Sequence, residues 1–146
     1  MQAAREDVQQ VLDNLADSRA AAGVEVVQPI LDVVVAELLE RVTAVARSVV
    51  EDGGRAYVGS TSDPAWRWIG GWSWRGSWMD GHCLRWTRLI VLGAWPDREA
   101  GAMEVAAIRA ARRLLGDRLA NALEAEDARG LEVRGLCAHS FVYFAC

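Results

Sequence analysis

All seven tryptophans of the chain fall between Trp66 and Trp95, with Arg67, Arg75, Arg85 and Arg88 interleaved among them. Aromatic rings stack on bases and guanidinium forks bind phosphate, so this texture has the chemistry of a nucleic-acid surface. Tryptophan also buries a large apolar area, so Trp68, Trp86 and Trp95 are expected in the core. The run from Trp72 through Trp74, Arg75 and Trp78 is the candidate contact surface, joined by Arg85. Just ahead stands Ala56-Tyr57-Val58-Gly59-Ser60-Thr61-Ser62-Asp63-Pro64-Ala65-Trp66-Arg67-Trp68. A β-like piece meets a glycine, passes a capping aspartate and a proline, and enters a helix that presents an arginine. His82 follows in a glycine-rich stretch, and Glu104 lies on a later helix.

The Tyr-Val-Gly run resembles the second half of the motif of the GIY-YIG nucleases. Arg67 lies ten positions after Tyr57 with Trp68 beside it, as in that family, and Glu104 with Ile108 matches the family's helical Glu and Ile. The resemblance covers roughly residues 55–115. It implies a metal-dependent endonuclease acting on DNA. In that reading Glu104 holds one divalent cation, Mg²⁺, which is satisfied by one or two carboxylates and its own waters. Arg67 clamps the scissile phosphate, Tyr57 orients or deprotonates the attacking water, and Gly59 lets the backbone turn tightly beside the phosphate. His82 is a candidate proton acceptor or leaving-group acid. The first half of the motif is missing. The position about ten residues before Tyr57 reads Ala46-Arg47-Ser48-Val49-Val50, and the chain has only Tyr57 and Tyr143. The general-base task often assigned to that first tyrosine would pass to Tyr57 or His82. Asn121 is the candidate for the family's late Asn.

These side chains need a scaffold to hold them. Val8, Val11, Leu12 and Leu15 recur at helical spacing, predicting a helix over about 4–21 that Gly23 ends. A second helix is expected from about Pro29 to Glu51, stopped by Asp52-Gly53-Gly54. Residues 1–51 therefore read as a helical hairpin, and residues 52–146 as a nuclease-like domain. Strands are expected over about 55–60, 84–92 and 140–146. Short helix 65–69, long helix 98–115 and a further helix over 118–128 are expected, with 70–83 as a loop. The fold class is α+β: a small mixed sheet flanked by helices behind the N-terminal hairpin.

Charge and cysteine usage narrow the class further. Residues 1–54 hold 10 acids against 4 arginines, whereas residues 55–90 hold 5 arginines against 2 acids. A basic patch inside an acidic chain is compatible with a phosphate-facing surface. Every basic residue is arginine, which GC-rich codon usage also produces. Cys83, Cys137 and Cys146 are widely spaced, so neither a zinc site nor a disulfide framework is indicated. The apolar stretch from Val24 to Leu39 is broken by Glu25, Asp32 and Glu37 and is not a membrane span. An intracellular protein with no membrane partner is expected. Three readings stay open: a DNA endonuclease, a non-catalytic nucleic-acid-binding descendant of that fold, and an interaction module that takes a partner or self-associates through residues 1–51.

Overall fold

The computed structural model of the protein describes residues 2–17, 22–72, 76–121 and 138–146. Four helices surround a four-stranded mixed sheet, as expected for the α+β class. The helices are α1 (Gln2–Ala16), α2 (Val35–Glu51), α3 (Pro64–Ile69) and α4 (Asp97–Leu115). The strands are β1 (Val24–Val26), β2 (Tyr57–Thr61), β3 (Gly70–Trp72), β4 (Trp78–Asp80), β5 (Leu89–Pro96) and β6 (His139–Ala145). The main sheet runs β1-β5-β6-β2; β1 is parallel to β5 and the other pairs are antiparallel. Strands β3 and β4 form a separate two-stranded ribbon.

The central strands β5 and β6 are apolar on both faces because both faces are covered. Ile90, Leu92, Val142 and Phe144 join the side chains of α2 and α4 in one core. Leu89, Val91, Phe141 and Tyr143 join α1 and α3 in the other. Strand periodicity thus sends alternate residues of β6 into two different cores. Trp68 and Trp95 are buried as expected, and Trp95 donates its indole N–H to the Val33 carbonyl at 2.9 Å. Trp86 is half-buried against the α1/α3 core.

Residues 1–51 hold the two expected helices with a strand between them. That strand, β1, pairs Val24, Glu25 and Val26 with Leu89, Ile90 and Val91. Three residues give too short a signal for periodicity to show. The second helix begins at Val35, not near Pro29, because the segment before it still follows β5. The Val27 amide donates to Val91, and the Ile30 carbonyl accepts from Ala94. The apolar stripes of both helices are buried within the chain. Arg41, on the buried side of α2, donates to the carbonyls of Val27 and Leu92 and pairs with Glu37 at 2.9 Å. A buried charge is tolerated when it is paired and hydrogen-bonded in this way.

Three further expectations change. The strand expected from Leu84 starts at Leu89, because residues 82–84 form a 3-10 turn and Leu84 is exposed. The expected loop over 70–83 contains the β3–β4 ribbon. The expected helix over 118–128 does not begin on the described residues: Gly116–Arg118 is a 3-10 turn, and residues 122–137 lie outside the described set.

Strand β2 lies at the sheet's end, and the outer backbone at Ala56 and Val58 finds partners outside the sheet. The Ala56 amide donates to Arg118, and the Ala56 carbonyl accepts from Ala120. One residue on, the Asn121 carboxamide accepts from the Val58 amide at 2.9 Å and donates to the Val58 carbonyl at 2.7 Å. A side-chain amide thereby imitates a neighbouring strand and closes the edge. Asn121→Ala leaves both Val58 groups unpaired in a buried setting, where each orphaned group costs about 1–3 kcal/mol. Urea unfolding should show a loss of about 2–4 kcal/mol on that basis. An unchanged midpoint would mean that the amide contributes nothing to holding the strand.

Candidate functional site

The site is built on β2 and β6. Their register places Gly59 opposite Tyr143. A Cβ on Gly59 would stand 2.6 Å from the Tyr143 hydroxyl and 2.8 Å from the Tyr57 ring. Only glycine leaves room for the two phenol rings to approach. Gly59 lies inside a strand, so its service is space for Tyr143 and not the tight turn the sequence suggested. No positive φ is found there, because backbone freedom is not what the position requires.

Tyr57, Tyr143 and His82 form a three-ring cluster. Ring centroids are 5.2 Å apart for Tyr57 and His82, 5.6 Å for His82 and Tyr143, and 6.3 Å for the two tyrosines. His82 Nε2 and the Tyr143 hydroxyl are hydrogen-bonded at 2.7 Å. With the imidazole proton on Nδ1, Nε2 accepts from the phenol. Burial first, and then the charges of Arg67 and Arg85, lower the His82 pKa to about 4. The imidazole is therefore neutral at physiological pH and can accept the hydrogen bond from the Tyr143 hydroxyl.

Helix α3 positions Arg67. Asp63 caps it by accepting from the Trp66 amide at 3.1 Å, and Pro64 occupies the first turn. The Arg67 guanidinium lies 5.8 Å from the centre of the Trp66 ring, a cation–π distance. Trp66 in turn lies against Gly71, where a Cβ would come within 2.7 Å of the indole nitrogen. Arg67 is thus set between the ring cluster and the start of the ribbon.

Glu104 comes from α4 on the other side. It is 4 % exposed and accepts a hydrogen bond from the Ser60 hydroxyl at 2.9 Å. Ser60 alternates with Tyr57 and Gly59, so Glu104 meets β2 from the face opposite the ring cluster. Tyr57, His82 and Arg67 gather on one face, and Glu104 reaches the same strand from the other. Among the described residues no group of three or more His, Cys, Asp or Glu side chains could hold a metal ion. Glu104 and Ser60 are both buried and bonded to each other, whereas magnesium held by so few protein ligands keeps several waters.

Trp72 and Trp78 face each other across the ribbon, and both are exposed. Arg85 is exposed just after the 3-10 turn that carries His82. Trp74 and Arg75 lie outside the described residues. Tyr143 and Ser60 were not identified as site residues from sequence. Tyr143 is the chain's only other tyrosine, but its partner is set by strand pairing, which the sequence pattern does not specify. No helix among the described residues is long and apolar enough to cross a membrane. No family model, curated protein or solved structure matches this chain.

The lowered His82 pKa has a sign that can be checked. The unfolded state takes up this proton near pH 6.5 and the folded state near 4. The stability associated with neutral His82 is full above about pH 6.5 and is lost as pH falls from 6.5 towards 4. His82→Gln should flatten that part of the stability-versus-pH curve. An NMR titration should find the His82 ring still neutral at pH 5.5; a midpoint near 6.5 contradicts the assignment.

Proposed function

We propose that the chain is a metal-dependent endonuclease of the GIY-YIG type that hydrolyses phosphodiester bonds in DNA. The observation that carries this reading is the cluster of Tyr57, Tyr143 and neutral His82 beside the Arg67 guanidinium, on a strand that also holds Glu104. Phosphodiester hydrolysis needs a deprotonated water, a counter-charge for the phosphate and help for the leaving oxygen. Arg67 supplies the counter-charge through charge-assisted hydrogen bonds. Tyr57, half-buried, is the phenol that would orient an attacking water, whereas Tyr143 is buried behind it. His82 accepts the proton, either directly or through the Tyr143 hydroxyl to which it is bonded. A cation held by Glu104 and Ser60 would lie across β2 from Arg67, so the charge of a phosphate at Arg67 would be met there by the guanidinium. Trp72, Trp78 and Arg85 extend the surface along which a strand of DNA would lie.

A second reading is favoured by one observation. Glu104 is 4 % exposed and no three-ligand group surrounds it among the described residues. A carboxylate so enclosed suits a domain that keeps the phosphate-binding Arg67 face and binds nucleic acid without cutting it.

Relaxation of supercoiled plasmid in Mg²⁺ separates the two. For an endonuclease, Glu104→Ala and Arg67→Ala should each slow nicking by about 10²-fold or more, typical for loss of electrostatic stabilisation. Tyr143→Phe and His82→Gln should each cost roughly 10²-fold if they move the proton. Equal rates for the wild type and Glu104→Ala contradict the nuclease reading. Salt-dependent DNA binding without nicking favours the second.

A further inference from the structure

The β3–β4 ribbon carries an exposed aromatic pair that the hydrolytic chemistry does not use. Trp72 is 66 % exposed and Trp78 55 %. They are direct cross-strand partners, with centroids 6.2 Å apart and planes at 86°. In this edge-to-face arrangement the two indoles touch each other at right angles, so they do not cover each other face to face. The ribbon is held at a fixed place. A Cβ on Gly70 would fall 2.3 Å from the Met79 carbonyl oxygen, and one on Gly81 would fall 2.2 Å from the Trp68 carbonyl oxygen. Chain crossing this close ties the ribbon to α3. Trp66 abuts Gly71 at the start of the ribbon and lies 5.8 Å from the Arg67 guanidinium. Arg67 and Arg85 both act on His82, which follows the ribbon by two residues, and β4 itself ends in the exposed Asp80.

We infer that Trp72 and Trp78 form a stacking platform for unpaired nucleobases, so that the substrate is DNA with single-stranded or unstacked bases beside the phosphate held by Arg67. This rests on the nuclease reading and names the substrate class for it. Bases inside a regular duplex already have both faces covered by their neighbours. Only an unpaired or extruded base offers a π-face to an indole. Arg85, exposed just beyond the ribbon, offers the phosphates of such a strand a partner.

The test is fluorescence anisotropy in EDTA with three labelled probes: single-stranded oligo-dT, a matched duplex, and the same duplex with a bulge. The wild type should bind the single strand and the bulged duplex more tightly than the matched duplex. Trp72→Ala with Trp78→Ala should weaken the first two by about 5- to 150-fold per stacked base and leave the matched duplex nearly unchanged. Trp72→Phe with Trp78→Phe should retain most of the binding, since a smaller ring still stacks. Both sites are exposed, so folding is not at stake, and thermal melting checks this. Equal binding of all three probes by the wild type overturns the inference. So does a double alanine variant that binds as the wild type does, or one that only abolishes self-association seen by sedimentation. If the wild type nicks matched duplex and the tryptophan variants nick it and the bulged duplex equally well, this inference alone fails. If no DNA is bound at low salt, the nuclease reading fails with it.

Discussion

The missing side chain of Gly59 is the constraint from which the site follows. Strand pairing fixes Tyr143 opposite Gly59, and any Cβ there would collide with the phenol. The ring therefore lies across the glycine and places its hydroxyl 2.7 Å from His82 Nε2. The Tyr57 ring lies next to the same gap. Three rings from three separate elements meet because one residue on β2 offers no bulk. Interiors are packed without spare volume, so even one added methyl group would push the cluster apart.

Electrostatics then sets what the cluster can do. His82 is partly withdrawn from water and faces two guanidinium charges, which keep it neutral. A neutral imidazole bonded to a phenol is a proton acceptor, whereas a charged one is not. The same Arg67 charge that depresses His82 is the one available to a phosphate. The opposite face of β2 is organised differently. There Ser60 and Glu104 form a buried polar pair, and Asn121 holds the strand edge at Val58. Each of these contacts fixes β2 in place, and with it the register that brings Gly59 and Tyr143 together.

Much of the scaffold was legible in the residues themselves. The Asp63 cap and Pro64 marked α3 to within one residue, and the apolar spacing expected over 98–115 located α4, which begins one residue earlier at Asp97. Strands β2 and β6 lay close to their expected ranges. What stayed hidden depends on pairing between distant segments. Strand β1 is only three residues long and exists because β5 lies beside it. The β3–β4 ribbon read as a loop because glycines dominate the local signal, yet Gly70 and Gly81 are there to allow close chain crossing. In the candidate site, Tyr57, Arg67 and His82 were named from the resemblance to the GIY-YIG motif, and Tyr57 and His82 come together in the structure. Tyr143 was not, since nothing in Ser140 to Cys146 specifies which strand it will face. Glu104 was expected beside the other groups. The alternation of β2 places it on the far face instead, because it bonds to Ser60 and not to Gly59's side of the strand.

The proposed function would have β2 join the Tyr57–His82–Tyr143 cluster on one face to a carboxylate that binds a cation on the other. Paramagnetic line broadening by Mn²⁺ in place of Mg²⁺, read residue by residue in an NMR spectrum with a short DNA strand present, tests it most directly. The account predicts that the amides of Ser60, Thr61 and Glu104 broaden first, that His82 follows, and that Glu104→Ala abolishes the effect. Broadening confined to the acidic surface of residues 1–54, or unchanged in Glu104→Ala, would contradict it.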